Sequence, residues 1–202
     1  MKKYEFVPGD EKVIAPGRTV KRIRALVAIA SMGVTPGALG GYIESENNLS
    51  QVSGDAWVYG NARVYGDARV YGDAWVYGNA RVSGNARVYG DAWVSGDAQV
   101  SGDAWVYGNA RVYGNARVYG NAQVYGNGLI FWASKVGTEN GTLTVYNTKD
   151  NTLEVTRGCF RGTIDEFLAA SEAKHDDQTH LEYRLLIEVA HSRITRAREA
   201  KS

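Results

Sequence analysis

The chain has 202 residues, a single cysteine, and 23 Lys+Arg against 22 Asp+Glu, a formal net charge of +1. So even a balance excludes a general electrostatic attraction to nucleic acid or to membranes, and a lone Cys159 excludes an internal disulfide and fits a reducing compartment. No apolar run approaches the ~20 residues of a membrane span, and Met1-Lys2-Lys3 leads into Tyr, Glu and Pro rather than an apolar signal region, so the expected location is the cytoplasm.

Residues 1–38 read as an N-terminal β cap. Tyr4 to Val7 and Arg18 to Ala30 have strand character, and Pro8-Gly9, Pro16-Gly17 and Pro36-Gly37 punctuate them as turns. Gly40 to Gln51 is expected to form an irregular entry coil, with Ile43 and Leu49 one repeat length apart. From Val52 to Leu129 the chain repeats every six residues, thirteen times without insertion: VSGDAW, VYGNAR, VYGDAR and so on to VYGNGL. Position one is always Val, position three always Gly, and position five Ala except at Gly128.

One such unit has nothing to bury its apolar atoms against, but stacked units do. Side chains alternate along Ala-x-Val-x, so Ala and Val point one way and positions six and two the other. Gly followed by Asp or Asn then accepts the left-handed backbone of a tight corner. Each unit is a short strand plus a corner, and three units close one triangular coil, eighteen positions in all. Successive coils hydrogen-bond at about 4.8 Å, with Val and Ala filling the interior.

The spacing of Val52 and Ala56, Val58 and Ala62, through to Val118 and Ala122 resembles the hexapeptide-repeat family. The resemblance covers about two-fifths of the chain and implies a left-handed parallel β-helix. The VYGNAR and VYGDAR wording, with LGGYIESENNLSQ before it, is also similar to phage and prophage repeat proteins that carry a generic transferase label. The fold class is therefore mainly β: an N-terminal cap at 1–38, the β-helix at 39–132, and a small C-terminal α+β module at 133–202.

At the module's entrance Ile130, Phe131 and Trp132 are expected to plug the last coil, and Gly141–Tyr146 and Thr152–Thr156 to form a hairpin. Thr163 with Glu166, and Thr179 with Glu182, read as two helix-start capping boxes. Leu181, Leu185, Leu186 and Val189 form the second helix's expected apolar stripe, and the charged tail from Arg193 to Ser202 is expected to fray.

Positions three units apart stack in columns. Trp57, Trp75 and Trp93 share one face, ending in Arg111, with Tyr59, Tyr77, Ser95 and Tyr113 beside them. The second face carries Arg63, Arg81, Gln99 and Arg117, and the third Arg69, Arg87, Trp105 and Gln123. An exposed Trp/Tyr ladder is an apolar patch of a kind that monomers rarely leave uncovered. Self-assembly is the first reading, cover by a terminal module the second, and a stacked planar ligand the third. The resemblance adds a preference for homotrimers. The Arg faces could grip a phosphate or nucleotide, although six Asp in the same block match the six Arg and favour a solvated face. The corner carboxylates Asp55, Asp73 and Asp91 read as corner stabilisers rather than a calcium site.

No catalytic residue, metal ligand set or cofactor motif is assigned. The family's acyltransferases imply a His base and a protruding loop, and the repeat block has neither. His175, His180 and His191 all lie in the C-terminal module and read as surface residues with spacing unsuited to zinc, and Cys159 as buried. The expected function is a non-catalytic, homo-oligomeric binding protein, a phage or prophage accessory factor. It would bind a host protein or sequester a small anionic, nucleotide-like ligand between subunits. The alternatives are a hexapeptide-type acyltransferase acting through a C-terminal His, and a structural rod.

Overall fold

The computed structural model describes residues 2–52, 54–126 and 128–200. Ser53 of the first repeat unit, Asn127 of the last, Met1 and the two terminal tail residues lie outside them. The repeat forms a parallel β-solenoid. Twelve short strands run from Trp57–Val58 to Gln123–Tyr125. They stack into three sheets with every partner three units away, as in Trp75↔Trp93, Arg63↔Arg81 and Arg69↔Arg87. The inward Val and Ala side chains from Ala56 to Val124 are inaccessible to solvent. Each buried Val contributes roughly 1.5–3 kcal/mol, and no single coil holds this core by itself.

The first coil departs from the expected phase. Ile43 pairs with Val64 and Leu49 bridges Val70, so the entry coil is three residues longer than the regular ones. The extra length sits between Leu49 and Val58, and Val52 is expelled, 91 % exposed. The regular solenoid thus starts at Ala56, not Val52, because Leu49 already fills the interior slot that the phase would give to a later residue. Asn48 closes this coil by donating from Nδ2 to the carbonyls of Gly66 and Ala68, both at 2.8 Å.

The cap is a hairpin of β1 (Tyr4–Ala15) and β2 (Arg18–Ala25), joined at Pro16-Gly17. Through β3 (Leu39–Ile43) it extends the second face into a seven-stranded sheet. Pro8-Gly9 is not a turn. It lies inside β1 at a register shift between Phe6 and Glu11, where an edge strand tolerates a residue without an N–H. Arg22 stacks over the Tyr42 ring at 4.5 Å and donates to Asp10 at 2.9 Å, and Tyr42 also donates to Asp10, at 3.1 Å.

The C-terminal sheet is an antiparallel meander of Ile130–Val136, Gly141–Asn147, Leu153–Arg157 and Phe160–Thr163. Ile130 reaches the coil interior, but Phe131 and Trp132 belong to the meander's first strand; the aromatic residue that plugs the coil is Tyr146, which is fully buried. Two helices, α1 (Ile164–Lys174) and α2 (Asp177–Glu199), pack on the sheet. The Thr163–Glu166 capping box forms as expected. The Thr179 box does not. Asp176 is the N-cap and accepts from the Thr179 N–H at 2.7 Å, so the helix begins earlier.

Tyr183, Ile187, Ala190 and Ile194 are the buried face of α2, whereas Leu181, Leu185 and Val189 are 36–51 % exposed. The stripe is rotated because the sheet selects the face on which Tyr183 packs edge-on to Phe167 at 5.2 Å. The tail does not fray at Arg193. Helix α2 continues to Glu199, and Arg198 donates to Asn147 Oδ1 at 2.7 Å and to the Thr152 carbonyl at 3.2 Å.

Burial pushes the phenols of Tyr4 and Tyr146 well above the ordinary tyrosine range, assisted by Glu46 and Glu154 respectively. The folded state therefore favours the neutral phenols. Their contribution is fully present below the unfolded value of about 10 and is lost as pH rises through the folded values. Urea midpoints are expected to stay level to about pH 9 and fall steeply above about pH 10; the Tyr4→Phe, Tyr146→Phe double variant should show a shallower fall.

Candidate functional site

The three columns fall where the three-unit spacing puts them, but their surroundings differ. On the first face Trp57 pairs with Trp75, Trp75 with Trp93, and Trp93 with Arg111. Trp57 is not part of an open ladder. It is 3 % exposed, with Tyr4 edge-on at 6.3 Å, so its cover comes from the chain's own N-terminal strand. The open part is shorter. Trp75 stacks on Trp93 at 5.4 Å, Tyr77 meets both rings edge-on, and Arg111 lies over Trp93 at 4.3 Å. Tyr59 projects freely, 56 % exposed.

The second face is tied to the C-terminal sheet at its far end. Beyond Arg63 and Arg81, Gln99 accepts from the Tyr119 hydroxyl at 2.9 Å, and Arg117 donates to the Gly158 carbonyl at 2.9 Å. On the third face Arg69 and Arg87 pair in register, and Arg87 sits over Trp105 at 5.0 Å. Beside them runs a further column, absent from the sequence-based expectations. Tyr71, Tyr89, Tyr107 and Tyr125 follow one another at 4.9, 5.1 and 4.9 Å, the first three with rings nearly parallel. Burial and the neighbouring tyrosines raise the pKa of Tyr89 and Tyr107. Its signal is present in the sequence, since these four recur every third unit with no substitution.

The corners carry ladders of their own. The Asp55 N–H donates to Asp73 at 2.9 Å, Asn79 to Asp97 at 3.1 Å and Asn85 to Asp103 at 2.9 Å. Such Asn-to-Asp steps relieve the repulsion that stacked carboxylates would meet.

A groove follows the first face. At its N-terminal end a cleft of about 540 Å³ lies between Ser31 and Met32 of the cap, the Asp55, Asp73 and Asp91 corner, and the Trp75–Trp93 stack. Arg111 ends this cleft and opens the next, of about 560 Å³, lined by Arg111, Tyr113, Ile130, Phe131, Trp132 and Arg193. Tyr113 and Trp132 meet edge-to-face there at 4.4 Å. Among the described residues neither Arg111 nor Arg193 forms an ion pair, and no carboxylate lines this cleft. The groove is thus acidic at one end and basic and aromatic at the other. Of the basic end, the repeat pattern identifies Arg111 and Tyr113; Arg193 lies on a docked helix rather than in a frayed tail, and Trp132 on a strand rather than in a plug.

The histidines lie elsewhere. The His175 ring is 5.6 Å from Tyr183, and His180 Nδ1 is 3.3 Å from Ser171 Oγ. Cys159 is exposed rather than buried, because Phe160 and not the thiol turns toward Phe167. Cys159 and His175 line a separate cleft of about 390 Å³. Among the described residues no three metal-ligating side chains converge, and no helix is long and apolar enough to cross a membrane.

No curated protein matches this sequence. A family model described as the YdcK beta solenoid repeat matches residues 62–78, 80–96 and 110–126, the same coils that stack in register here, and the chain is accordingly a β-solenoid repeat protein whose repeats are similar to that family's.

Proposed function

We propose that this protein is a non-catalytic binding protein that captures an anionic partner at the basic end of the first-face groove. One observation carries the reading: Arg111 and Arg193 line the same cleft as Tyr113, Phe131 and Trp132, and no carboxylate lines that cleft. A pair of guanidiniums without ion-pair partners among the described residues holds a carboxylate or phosphate, while the rings take a planar or apolar group beside it. In this reading the acidic end of the groove excludes the partner's charge and sets its direction.

The similarity to phage and prophage repeat proteins extends the proposal to an accessory factor working in the cytoplasm. Self-association, a trimer before other states, belongs to it as well; sedimentation at micromolar concentration that showed only monomer would remove that part.

Titrating the intrinsic tryptophan fluorescence with AMP, and separately with an acidic pentapeptide, tests the core of the reading. Binding of either that weakens at least tenfold in the Arg111→Ala, Arg193→Ala double variant, and that weakens with added salt, supports it. Saturable binding that the double variant leaves unchanged, or no binding of either probe at millimolar concentration, overturns it.

A further inference from the structure

The backbone at the same end of the groove narrows what the partner can be. Every coil strand donates forward to the next coil. Trp93 N–H reaches the Ala110 carbonyl at 2.8 Å, and Ser95 N–H reaches that of Val112 at 2.9 Å. The last coil has no successor, so its forward-facing groups need substitutes. On the second face the C-terminal sheet supplies them from side chains. Arg117 N–H donates to Thr144 Oγ1 at 3.2 Å, Thr156 Oγ1 donates to the Arg117 carbonyl at 3.0 Å, and Tyr119 N–H donates to the Tyr146 hydroxyl at 3.3 Å.

The corresponding groups on the first face are Arg111 N–H, the Arg111 carbonyl and Tyr113 N–H. Arg111–Val112 is the edge of its sheet, paired only with Trp93–Val94. Among the described residues neither the Arg111 N–H nor the Tyr113 N–H has a hydrogen-bond acceptor. The other end of this sheet is closed, because Lys3 Nζ donates to the Ala56 carbonyl at 3.0 Å. Among the described residues one edge is therefore left open, and it borders the cleft that holds Arg111 and Arg193.

We infer that this edge is a docking strand for an extended acidic peptide. Strand alternation turns the Arg111 carbonyl to the same side as the two N–H groups, which gives a donor–acceptor–donor row. A free anion would use the donors and leave the carbonyl idle. A peptide backbone matches all three by adding a strand, with two of its carbonyls accepting and the N–H between them donating. A Glu or Asp side chain on that segment reaches Arg111 or Arg193, and an apolar neighbour packs on Tyr113 and Trp132. The inference rests on the groove being the binding site.

The test is a ¹⁵N NMR titration of the full chain with acetyl-Glu-Val-Glu-Val-Glu-amide, repeated with the same peptide N-methylated at its central Glu. The Arg111 and Tyr113 amide signals are expected to move downfield and to exchange more slowly with solvent. N-methylation and Arg193→Ala are each expected to weaken binding at least tenfold. If the N-methylated peptide binds equally well, strand addition is wrong while the groove reading stands. If AMP binds and the peptide does not, the peptide inference falls alone. If neither binds, both fall.

Discussion

Gly84→Ala should lower stability by about 2–5 kcal/mol, while Gly17→Ala should cost only about 1–2 kcal/mol, although both glycines have nearly the same backbone. Gly84 has φ 67° and Gly17 φ 70°, a region in which an L residue costs roughly 1–2 kcal/mol. The difference lies in what stands opposite. A Cβ on Gly17 meets nothing within 4 Å, whereas one on Gly84 comes within 2.9 Å of the Gly102 nitrogen and 3.1 Å of its carbonyl oxygen. Those are backbone atoms of the next coil, held in a ladder that cannot yield at one rung without stretching its neighbours. Overpacking of this kind adds about 1–3 kcal/mol. Urea denaturation of the two variants measures the gap directly. Equal losses would mean that corner conformation alone, and not coil-to-coil contact, dictates Gly at position three of every unit.

That contrast shows why the solenoid was legible in the sequence and its ends were not. Inside the repeat, every position answers to the same constraint one coil away, so Val, Ala and Gly report the coil and the Trp57–Trp75–Trp93 register follows by counting. At the ends the constraint comes from unlike segments. Whether Val52 continues the phase depends on where Leu49 enters the interior, and nothing in VSGDAW records that. Asp176 and Thr179 are both competent caps, and the chain uses the first because helix α2 has to present Tyr183, Ile187 and Ile194 to the sheet. Trp57 and Trp75 hold the same position of their hexads, yet Tyr4, far upstream in the cap, buries one and not the other. The basic cleft was half visible for the same reason: Arg111 belongs to the repeat, while Arg193 reaches the cleft only because α2 docks along its whole length.

The N-terminal end offers the second large effect, because one side chain closes it. Tyr4 is fully buried; its hydroxyl donates to the Leu49 carbonyl at 2.8 Å and lies 3.3 Å from that of Glu46, and its ring sits edge-on to both Trp57 and Phe6. Tyr4→Ala should cost about 3–5 kcal/mol, the range for removing a large aromatic side chain from a core. Tyr4→Phe keeps the ring contacts and strands only the Leu49 carbonyl, a loss of about 1–3 kcal/mol. The two variants also separate by fluorescence. In Tyr4→Ala the Trp57 indole loses its cover and total emission should shift to the red, whereas Tyr4→Phe should emit as the unaltered chain does. A Tyr4→Ala protein that lost no more stability than Tyr4→Phe, without a red shift, would mean that Phe6 or the Met32 loop closes the coil instead, and that the first-face groove extends past Trp57 to the end of the solenoid.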